Sequence, residues 1–226
     1  MLGNKYFLAM PLSSIIVKMK IVAISDTHAK HRDLVVPSGD LLIHAGDVTQ
    51  KGTKEEVEDF LDWFKEQPCT YKIFIAGNHD FYFETATDEE IAILMPKGIT
   101  YLNDSGIEIE GISIWGSPIT PWFYNWAFQR HRGKKIEKHW DLIPEGTDIL
   151  VVHGPPHGIL DKTRLGANVG CERLTEAIQF IQPKITIFGH IHEDRGILKK
   201  KETTCINAAV VDLTYEIKYK PYIIEL

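Results

Sequence analysis

The chain has 226 residues, of which 44% are hydrophobic and 25% are charged, and its formal net charge is −6. This length is sufficient to bury a substantial core in one large domain or two small ones. The acidic balance excludes broad electrostatic binding to nucleic acid or anionic membranes, because phosphate would be repelled. The three cysteines, Cys69, Cys171 and Cys205, form no CxxC pair. They favour a reducing, cytoplasmic compartment over a disulfide framework or a thiolate zinc site.

Residues 1–18 are predicted to be an extension that is not part of the core. The stretch FLAMPLSSIIV faintly resembles the apolar part of a signal peptide, but Pro11 and two serines interrupt it, and no small-residue cleavage site follows. It is also shorter than the roughly 20 apolar residues of a membrane span. We therefore expect residues 19–226 to form a single domain, with a cleaved signal peptide as the alternative interpretation.

Five short apolar runs each end in a polar cluster. Runs of this length that are rich in Ile and Val and do not alternate indicate strands buried on both faces. Because the carboxyl ends of strands meet at one edge of an open α/β sheet, we expect the clusters to be neighbours in space. The runs are KIVAIS before Asp26-Thr27-His28, DLLIHA before Gly46-Asp47, YKIFIA before Gly77-Asn78-His79-Asp80, DILVVH ending at His153, and KITIFG before His190-Ile191-His192.

Helical patterns lie between some of these runs. Apolar residues spaced three and four apart indicate a buried helix face, and a Thr followed three residues later by Glu predicts a capping box. GIEIEG and ISIWGS, which meet at Gly111, predict a hairpin. The mixture favours α/β packing with helices outside at least one mixed sheet. The helices are marked by Thr53 with Glu56 and the stripe Val57, Phe60, Leu61 and Phe64, by Thr87 with Glu90, and by Leu174, Ile178 and Ile181.

The polar clusters supply nitrogen and oxygen donors without sulfur. Such a set can hold two divalent ions that share one carboxylate, and two metals about 3.5–4 Å apart can clamp the attacking and leaving oxygens at phosphorus. Imidazole and carboxylate ligands together favour Mn²⁺, while Fe, Zn, Ni, Co and Mg stay open. His44, just before the Gly46-Asp47 turn, is predicted to be structural instead. The predicted ligands are Asp26, His28, Asp47, Asn78, His153, His190 and His192.

The order D-x-H, G-D, G-N-H-D, H and G-H-x-H resembles the calcineurin-like metallophosphoesterase superfamily, from Lys20 to the carboxyl end. The resemblance implies a four-layer α/β/β/α sandwich of two mixed sheets flanked by helices, with a dimetal site at their carboxyl edge. It also implies that His79 is the general acid that protonates the leaving oxygen. In the implied ligand sets, one ion takes Asp26, His28 and His192, the other takes Asn78, His153 and His190, and Asp47 bridges them.

Three longer stretches are similar to the metallophosphoesterase-domain-containing subgroup, which has brain-expressed vertebrate members and bacterial relatives. These stretches are HAGDVTQKG, GSPITPWFYNWAFQRHRG and VVHGPPHGILDKTRLGANVGCERL. Some vertebrate members have Gly at the place of His190, so the histidine in this chain implies a full second metal site. Ser/Thr protein phosphatases have Asp and Arg where Gln50 and Lys51 stand here. Because a neutral partner stabilises an imidazolium less than a carboxylate does, this departure favours a phosphodiesterase.

The stretch between residues 115 and 132 is rich in aromatic residues and ends with two arginines. Aromatic faces can stack on a nucleobase and arginine can hold phosphate, although such rings also commonly cover a core or an interface. The predicted ligand is a small phosphate ester, such as a nucleotide. The predicted substrate contacts are Trp122, Arg130, Arg132, Arg164 and Asn168.

Together these features predict a dimetal phosphodiesterase that hydrolyses small phosphodiesters such as cyclic nucleotides. A metal-bridged hydroxide would attack phosphorus while His79 protonates the leaving oxygen. A phosphomonoesterase or nuclease on the same fold is one alternative. A catalytically silent metal-binding scaffold is the other, although the presence of His79 argues against it.

Overall fold

The computed structural model describes residues 18–226. The predicted extension therefore lies outside the described residues, apart from Lys18. In the described part of the chain, no helix is both long and apolar enough to cross a membrane.

The first sheet has five strands in the order β13-β1-β2-β3-β4. Its strands from β1 to β4 are parallel, and β13 pairs antiparallel with β1 at the edge. Three of the predicted apolar runs form its central strands. The strands are β1 (Lys20–Ile24), β2 (Gly39–Ala45), β3 (Cys69–Ile75), β4 (Ile99–Tyr101) and β13 (Tyr222–Glu225).

The second sheet has six strands in the order β11-β12-β10-β9-β6-β5, with antiparallel strands at both edges of a parallel centre. The predicted hairpin is confirmed as β5 and β6, which turn at Glu110 and Gly111, both with positive φ. A small pair, β7 (Thr120–Pro121) and β8 (Gln129–Arg130), closes an aromatic loop. The six strands are β5 (Ser105–Ile109), β6 (Ile112–Ser117), β9 (Ile149–Val152), β10 (Ile185–Phe188), β11 (Gly196–Lys200) and β12 (Thr203–Asn207).

Within residues 18–226, five α-helices accompany the sheets, and the two predicted capping boxes differ in detail. At the start of α3, Thr87 and Glu90 form the reciprocal box. At the start of α1, the Thr53 hydroxyl accepts from the Glu56 N–H, but the Glu56 carboxylate accepts from Lys51 and Gly52 instead of Thr53. Glu56 thus secures the loop before the helix. The helices are α1 (Lys54–Lys65), α2 (Phe81–Thr85), α3 (Asp88–Leu94), α4 (Lys134–Trp140) and α5 (Glu172–Ile181).

Alternate residues of the central strands face two different cores. In β1, Ile21 and Ala23 belong to the core between the sheets, whereas Val22 and Ile24 belong to the core under the helices. Phe60 of α1 belongs to that second core. This partition explains the uninterrupted apolar runs, because both faces of each strand are buried. It confirms the predicted sandwich of two mixed sheets flanked by helices.

Candidate metal centre

The predicted ligands lie where strands of the two sheets end. Asp26 and His28 follow β1, Asp47 follows β2, and Asn78 follows β3. In the other sheet, His153 follows β9, while His190 and His192 follow β10. Asp26, His28, Asp47 and His190 all adopt positive φ, between 44° and 68°. Non-glycine residues in this strained region persist where the surroundings hold them, and they concentrate at functional sites.

One triad of donors consists of Asp26, His28 and His192. The Nε2 atom of His192 lies 3.3 Å from Oδ1 of Asp26 and 3.3 Å from Nε2 of His28. The ligand atoms of all three residues lie within 4.8 Å of one another, and the three side chains are buried. This is the set that the resemblance assigned to one ion.

A second triad consists of Asp47, His153 and His190, whose ligand atoms also lie within 4.8 Å of one another. The Nε2 atom of His153 is 3.3 Å from Oδ2 of Asp47 and 2.9 Å from Oδ1 of Asn78. The structure therefore brings the Asn78 amide oxygen to the same point. The four residues match the set assigned to the other ion together with its shared carboxylate.

Asp47 lies between the two triads. Its Oδ2 atom is 3.7 Å from Nε2 of His28 in the first triad and 3.3 Å from Nε2 of His153 in the second. Its Oδ1 atom accepts a 2.8 Å hydrogen bond from the His79 N–H, which holds the carboxylate in place. A carboxylate in this position is close enough to both groups to bridge two ions.

The two buried carboxylates need positive charge. Burial alone would raise the pKa of Asp26, but the hydrogen bond and charge of His192 hold it below its ordinary value. The pKa of Asp47 is likewise lowered, because the charge of His153 outweighs the effect of burial. Within residues 18–226, no lysine or arginine pairs with either carboxylate. Two buried acids without a permanent cation fit a site for divalent ions.

The histidines around the carboxylates differ in protonation. Burial lowers the pKa of His28 to about 4 and that of His190 to about 3, so both are neutral and free to act as ligands near neutral pH. Burial also opposes charge on His153, but the Asp47 and Asp26 carboxylates raise its pKa to about 9. In the absence of an ion, the His153 imidazolium therefore supplies the positive charge that a metal would bring.

Two glycines are required by the closeness of the strand ends. A side chain at Gly189 would overlap the Asp26 carboxylate, and one at Gly77 would overlap the Asp47 carboxylate. The N–H of His190 donates to both oxygens of Asp26 at 3.0 Å, which fixes the approach of β10 to β1. These contacts explain why glycine precedes Asn78 and His190 in the motifs.

Loop residues around the centre are held by Asp80. Its buried carboxylate accepts hydrogen bonds from the N–H groups of Val48, Thr49 and Gly77. Burial and the nearby Asp47 charge raise the pKa of Asp80 to about 6. Asp80 thus ties the loop after β2 to the loop after β3, the two loops that present Asp47 and Asn78.

His79 lies beside the two triads, with a ligand atom within 4.8 Å of those of His28 and Asp47. Its Nδ1 atom donates to the carbonyl oxygen of Gln50 at 2.8 Å. The partner of His79 is thus the Gln50 backbone and not the Gln50 side chain. The indole of Trp126 packs against the imidazole with 4.4 Å between ring centroids and 30° between the ring planes.

A cleft of about 460 Å³ opens over the centre. Of the predicted substrate contacts, Trp122 and Arg132 line this cleft. Arg130 does not line it and instead lies 3.5 Å from Glu84. Arg164 and Asn168 also lie outside the lining residues, in the loop whose backbone pairs Lys162 with Asn168. Arg130, Arg164 and Asn168 are therefore not among the residues that line the cleft.

Sequence reasoning missed other residues of the cleft wall. Phe123 lies 5.4 Å from His190 between ring centroids, and Tyr215 lies 4.7 Å from His28. The aromatic stretch was a signal for Phe123. Tyr215 had none, because it comes from an irregular turn in which it adopts φ 61°.

Two neighbouring His/Asp triads, linked by the approach of Asp47 to His28, lie beside an aromatic cleft. This arrangement suggests a binuclear divalent metal site. A family model described as calcineurin-like phosphoesterase matches residues 19–194. The chain belongs to this family, and the family and the clusters together support a metal-dependent phosphoester hydrolase.

Curated relatives and solved structures agree with this assignment. The chain is 39% identical to the human protein Metallophosphoesterase domain-containing protein 1, over 92% of this chain and 71% of that protein. It is 26% identical to Probable glycerophosphodiester phosphodiesterase GpdQ of Arcobacter nitrofigilis, over 77% of this chain and 72% of that protein. A crystal structure with 15% identity superposes with a TM-score of 0.66, over 92% of this chain and 99% of that chain, which shows a shared fold.

Proposed function

We propose that this protein is a phosphodiesterase that hydrolyses small phosphodiesters such as cyclic nucleotides, with Mn²⁺ as the favoured ion. Asp26, His28 and His192 would hold one ion, and Asn78, His153 and His190 the other, with Asp47 shared. When bound, the two ions supply Lewis-acid activation of water and of the phosphoryl oxygens.

The charge of the cleft wall carries the preference for diesters. Within the described residues, Arg132 is the only lysine or arginine that lines the cleft. Its guanidinium already donates hydrogen bonds to the carbonyls of Val169 and Gly170 and to the Glu172 carboxylate. Glu193 adds an acid to the same wall. A dianionic monoester would need more positive charge than this wall offers, whereas a diester carries one charge.

The aromatic wall supports a substrate with a planar group. Trp122 and Phe123 line the cleft and are 48% and 40% exposed, so their faces are available for stacking. A nucleobase stacked on such a ring contributes about 1–3 kcal/mol. The name of the Arcobacter nitrofigilis relative, a probable phosphodiesterase, is in line with this proposal.

His79 is proposed as the general acid. As the new P–O bond to water forms and the ester P–O bond breaks, the proton on its Nε2 atom would pass to the leaving oxygen. Its Nδ1–H donates to the Gln50 carbonyl, which leaves Nε2 as the second nitrogen on a side chain that lines the cleft.

A substrate panel tests the proposed specificity. Bis-p-nitrophenyl phosphate, p-nitrophenyl phosphate, cyclic nucleotides and single-stranded DNA are assayed with Mn²⁺, Mg²⁺ or Zn²⁺ and with a chelator. We expect metal-dependent turnover of the diesters to exceed that of the monoester. Dominant hydrolysis of the monoester would indicate a phosphomonoesterase, and dominant hydrolysis of DNA would indicate a nuclease. Metal-loaded protein that hydrolyses none of the substrates would support a catalytically silent scaffold.

The His79→Ala variant tests the role of His79. General acid catalysis contributes about 10²–10⁴-fold, and the loss should be largest for a cyclic nucleotide, whose alkoxide leaving group needs a proton. Bis-p-nitrophenyl phosphate, with its weakly basic leaving group, should lose much less. His157→Ala is the matched control, since His157 lies outside the cleft lining. Equal losses on both esters would contradict the assignment of His79 as the acid.

A further inference from the structure

The His79 ring is contacted by the Gln50 carbonyl at Nδ1, by the face of Trp126, and by His28 in a T-shaped arrangement with ring centroids 4.6 Å apart. Resting on the proposed role of His79 as general acid, we propose that Trp126 is its positioning residue. The indole holds the plane of the imidazole so that Nε2 faces the leaving oxygen.

The hydrogen bond to Gln50 is insufficient for this task. A carbonyl oxygen only accepts, so Nδ1 carries a proton in this bond, but one bond leaves the ring free to tilt about it. The torsion between Cβ and an imidazole ring is also broad and lacks sharp staggered minima. The Trp126 indole, 4.4 Å away between ring centroids and tilted by 30°, packs against the imidazole face and restricts that torsion.

Trp126 is itself tied to the segment that carries His79. The N–H of Ala127 donates to the carbonyl of Asn78 at 3.1 Å, so the main chain just after Trp126 is bonded to the main chain just before His79. The indole also packs against Phe81, with ring centroids 6.0 Å apart. Trp126 and His79 are therefore linked both by a main-chain hydrogen bond and by ring packing.

The loop that carries Trp126 is anchored at its base. The Gln129 side-chain oxygen accepts hydrogen bonds from the N–H groups of Phe123 and Tyr124. Trp122 donates to the carbonyl of Arg130 across the small strand pair. In this loop, Tyr124 points outward and is 70% exposed, whereas Trp126 lies against His79. Tyr124 is therefore a matched control for the loss of an aromatic ring from the same loop.

The test compares Trp126→Leu, Trp126→Phe and Tyr124→Leu on two diesters in the metal-loaded, full-length protein. A misplaced general acid matters only where the leaving group needs a proton. We expect Trp126→Leu to lower kcat for a cyclic nucleotide by about tenfold or more, and for bis-p-nitrophenyl phosphate by less than about twofold. Trp126→Phe should recover most of the loss, and Tyr124→Leu should resemble the wild type on both substrates.

A double-mutant cycle links the effect to His79. If Trp126 acts through His79, adding Trp126→Leu to His79→Ala should cause no further loss on the cyclic nucleotide. Long-range ¹H–¹⁵N spectra of the Zn²⁺-loaded protein give a readout independent of turnover. They should show an Nδ1–H proton of His79 that exchanges slowly with water in the wild type and faster in Trp126→Leu, because a freer ring breaks its bond to the Gln50 carbonyl more often.

Three results would overturn the inference. Equal losses of kcat on both diesters, or loss of bound metal from Trp126→Leu, would indicate a purely structural residue. A rise in KM at unchanged kcat would show that Trp126 contacts the substrate instead. None of these results contradicts the proposed function itself. The assignment of His79 as general acid fails only if the loss of activity in His79→Ala does not depend on the leaving group.

Discussion

Two groups of buried histidines differ in what surrounds them. In the metal centre, the rings of His28 and His192 lie near two carboxylates and near each other. On the other side of the first sheet, His44 binds the Thr27 hydroxyl at 2.9 Å and packs against Phe60, and His31 contacts Asp59 at 3.0 Å. We call His31 and His44 the packing histidines.

Burial or a neighbouring acid does not by itself identify a ligand. His44 is as inaccessible as His153, and His31 faces an acid as His192 does. The difference is convergence, because the ligand atoms of the centre meet within a few ångströms, whereas each packing histidine has a single polar partner among aromatic rings. Convergence of several donors is what a metal ion requires.

The largest expected effect comes from replacing a carboxylate of the metal centre by an amide, compared with the same replacement beside a packing histidine. Asp47→Asn should lower turnover of the preferred diester by roughly a thousandfold, because the shared ligand provides several kcal/mol of transition-state stabilisation. Asp59→Asn is the matched control, since it alters the acid beside the packing histidine His31. We expect its turnover to stay within about twofold of the wild type. Steady-state assays with measured metal content decide; similar losses in both variants would remove the distinction between the groups.

A smaller effect is expected when metal is withdrawn. Ligands that bind only the folded protein stabilise it by about 2.7 kcal/mol at a hundredfold excess over Kd, which corresponds to roughly 5–10 °C in Tm for a chain of this size. Calorimetry with and without chelator should show this shift in the wild type and in His44→Gln. The shift should largely disappear in Asp47→Asn. A chelator-sensitive Tm in all three proteins would show that the stabilising ion binds elsewhere.

The smallest effect concerns acid stability. Burial lowers the pKa of His44 from 6.5 to about 3, so the unfolded chain takes up this proton while the folded protein does not. Its contribution to stability is therefore lost as pH falls below 6.5, with a slope of at most about 1.4 kcal/mol per pH unit.

His44→Gln removes this titration and leaves the other histidines in place. Between pH 7 and pH 5, the wild type should lose roughly 2 kcal/mol more of its unfolding free energy than the variant does. Denaturant unfolding of metal-free samples at the two pH values measures the difference. Identical losses would mean that His44 is accessible to protons in the folded protein.

The convergence of the predicted ligands was predictable because these residues follow regular structure. Asp26, Asp47 and His153 each come soon after a buried strand, and parallel strands carry their carboxyl ends to a common edge. The same regularity made the sandwich predictable, since a sheet whose strands are apolar on both faces must have another layer packed against each face.

The cleft wall followed no such rule. Tyr215 is placed by an irregular turn in which the Asp212 carboxylate accepts from the Thr214 N–H and hydroxyl, and short polar contacts of this kind leave no periodic pattern. Arg130 and Arg132 looked equivalent in sequence, yet only Arg132 lines the cleft. Glu56 had a helix-capping signature, but the loop just before the helix gave its carboxylate other donors, the N–H groups of Lys51 and Gly52.

Each triad combines donors from both sheets. Asp26 and His28 follow a strand of the first sheet and His192 one of the second, while Asp47 of the first meets His153 and His190 of the second. An ion in either position would consequently act as a cross-link between the two halves of the sandwich. Amide exchange along β1 and β10 should then slow when both positions fill, even in a variant that has lost all turnover. Filling or emptying either position would then change how firmly the two sheets are held together, in parts of the sandwich that are far from the cleft.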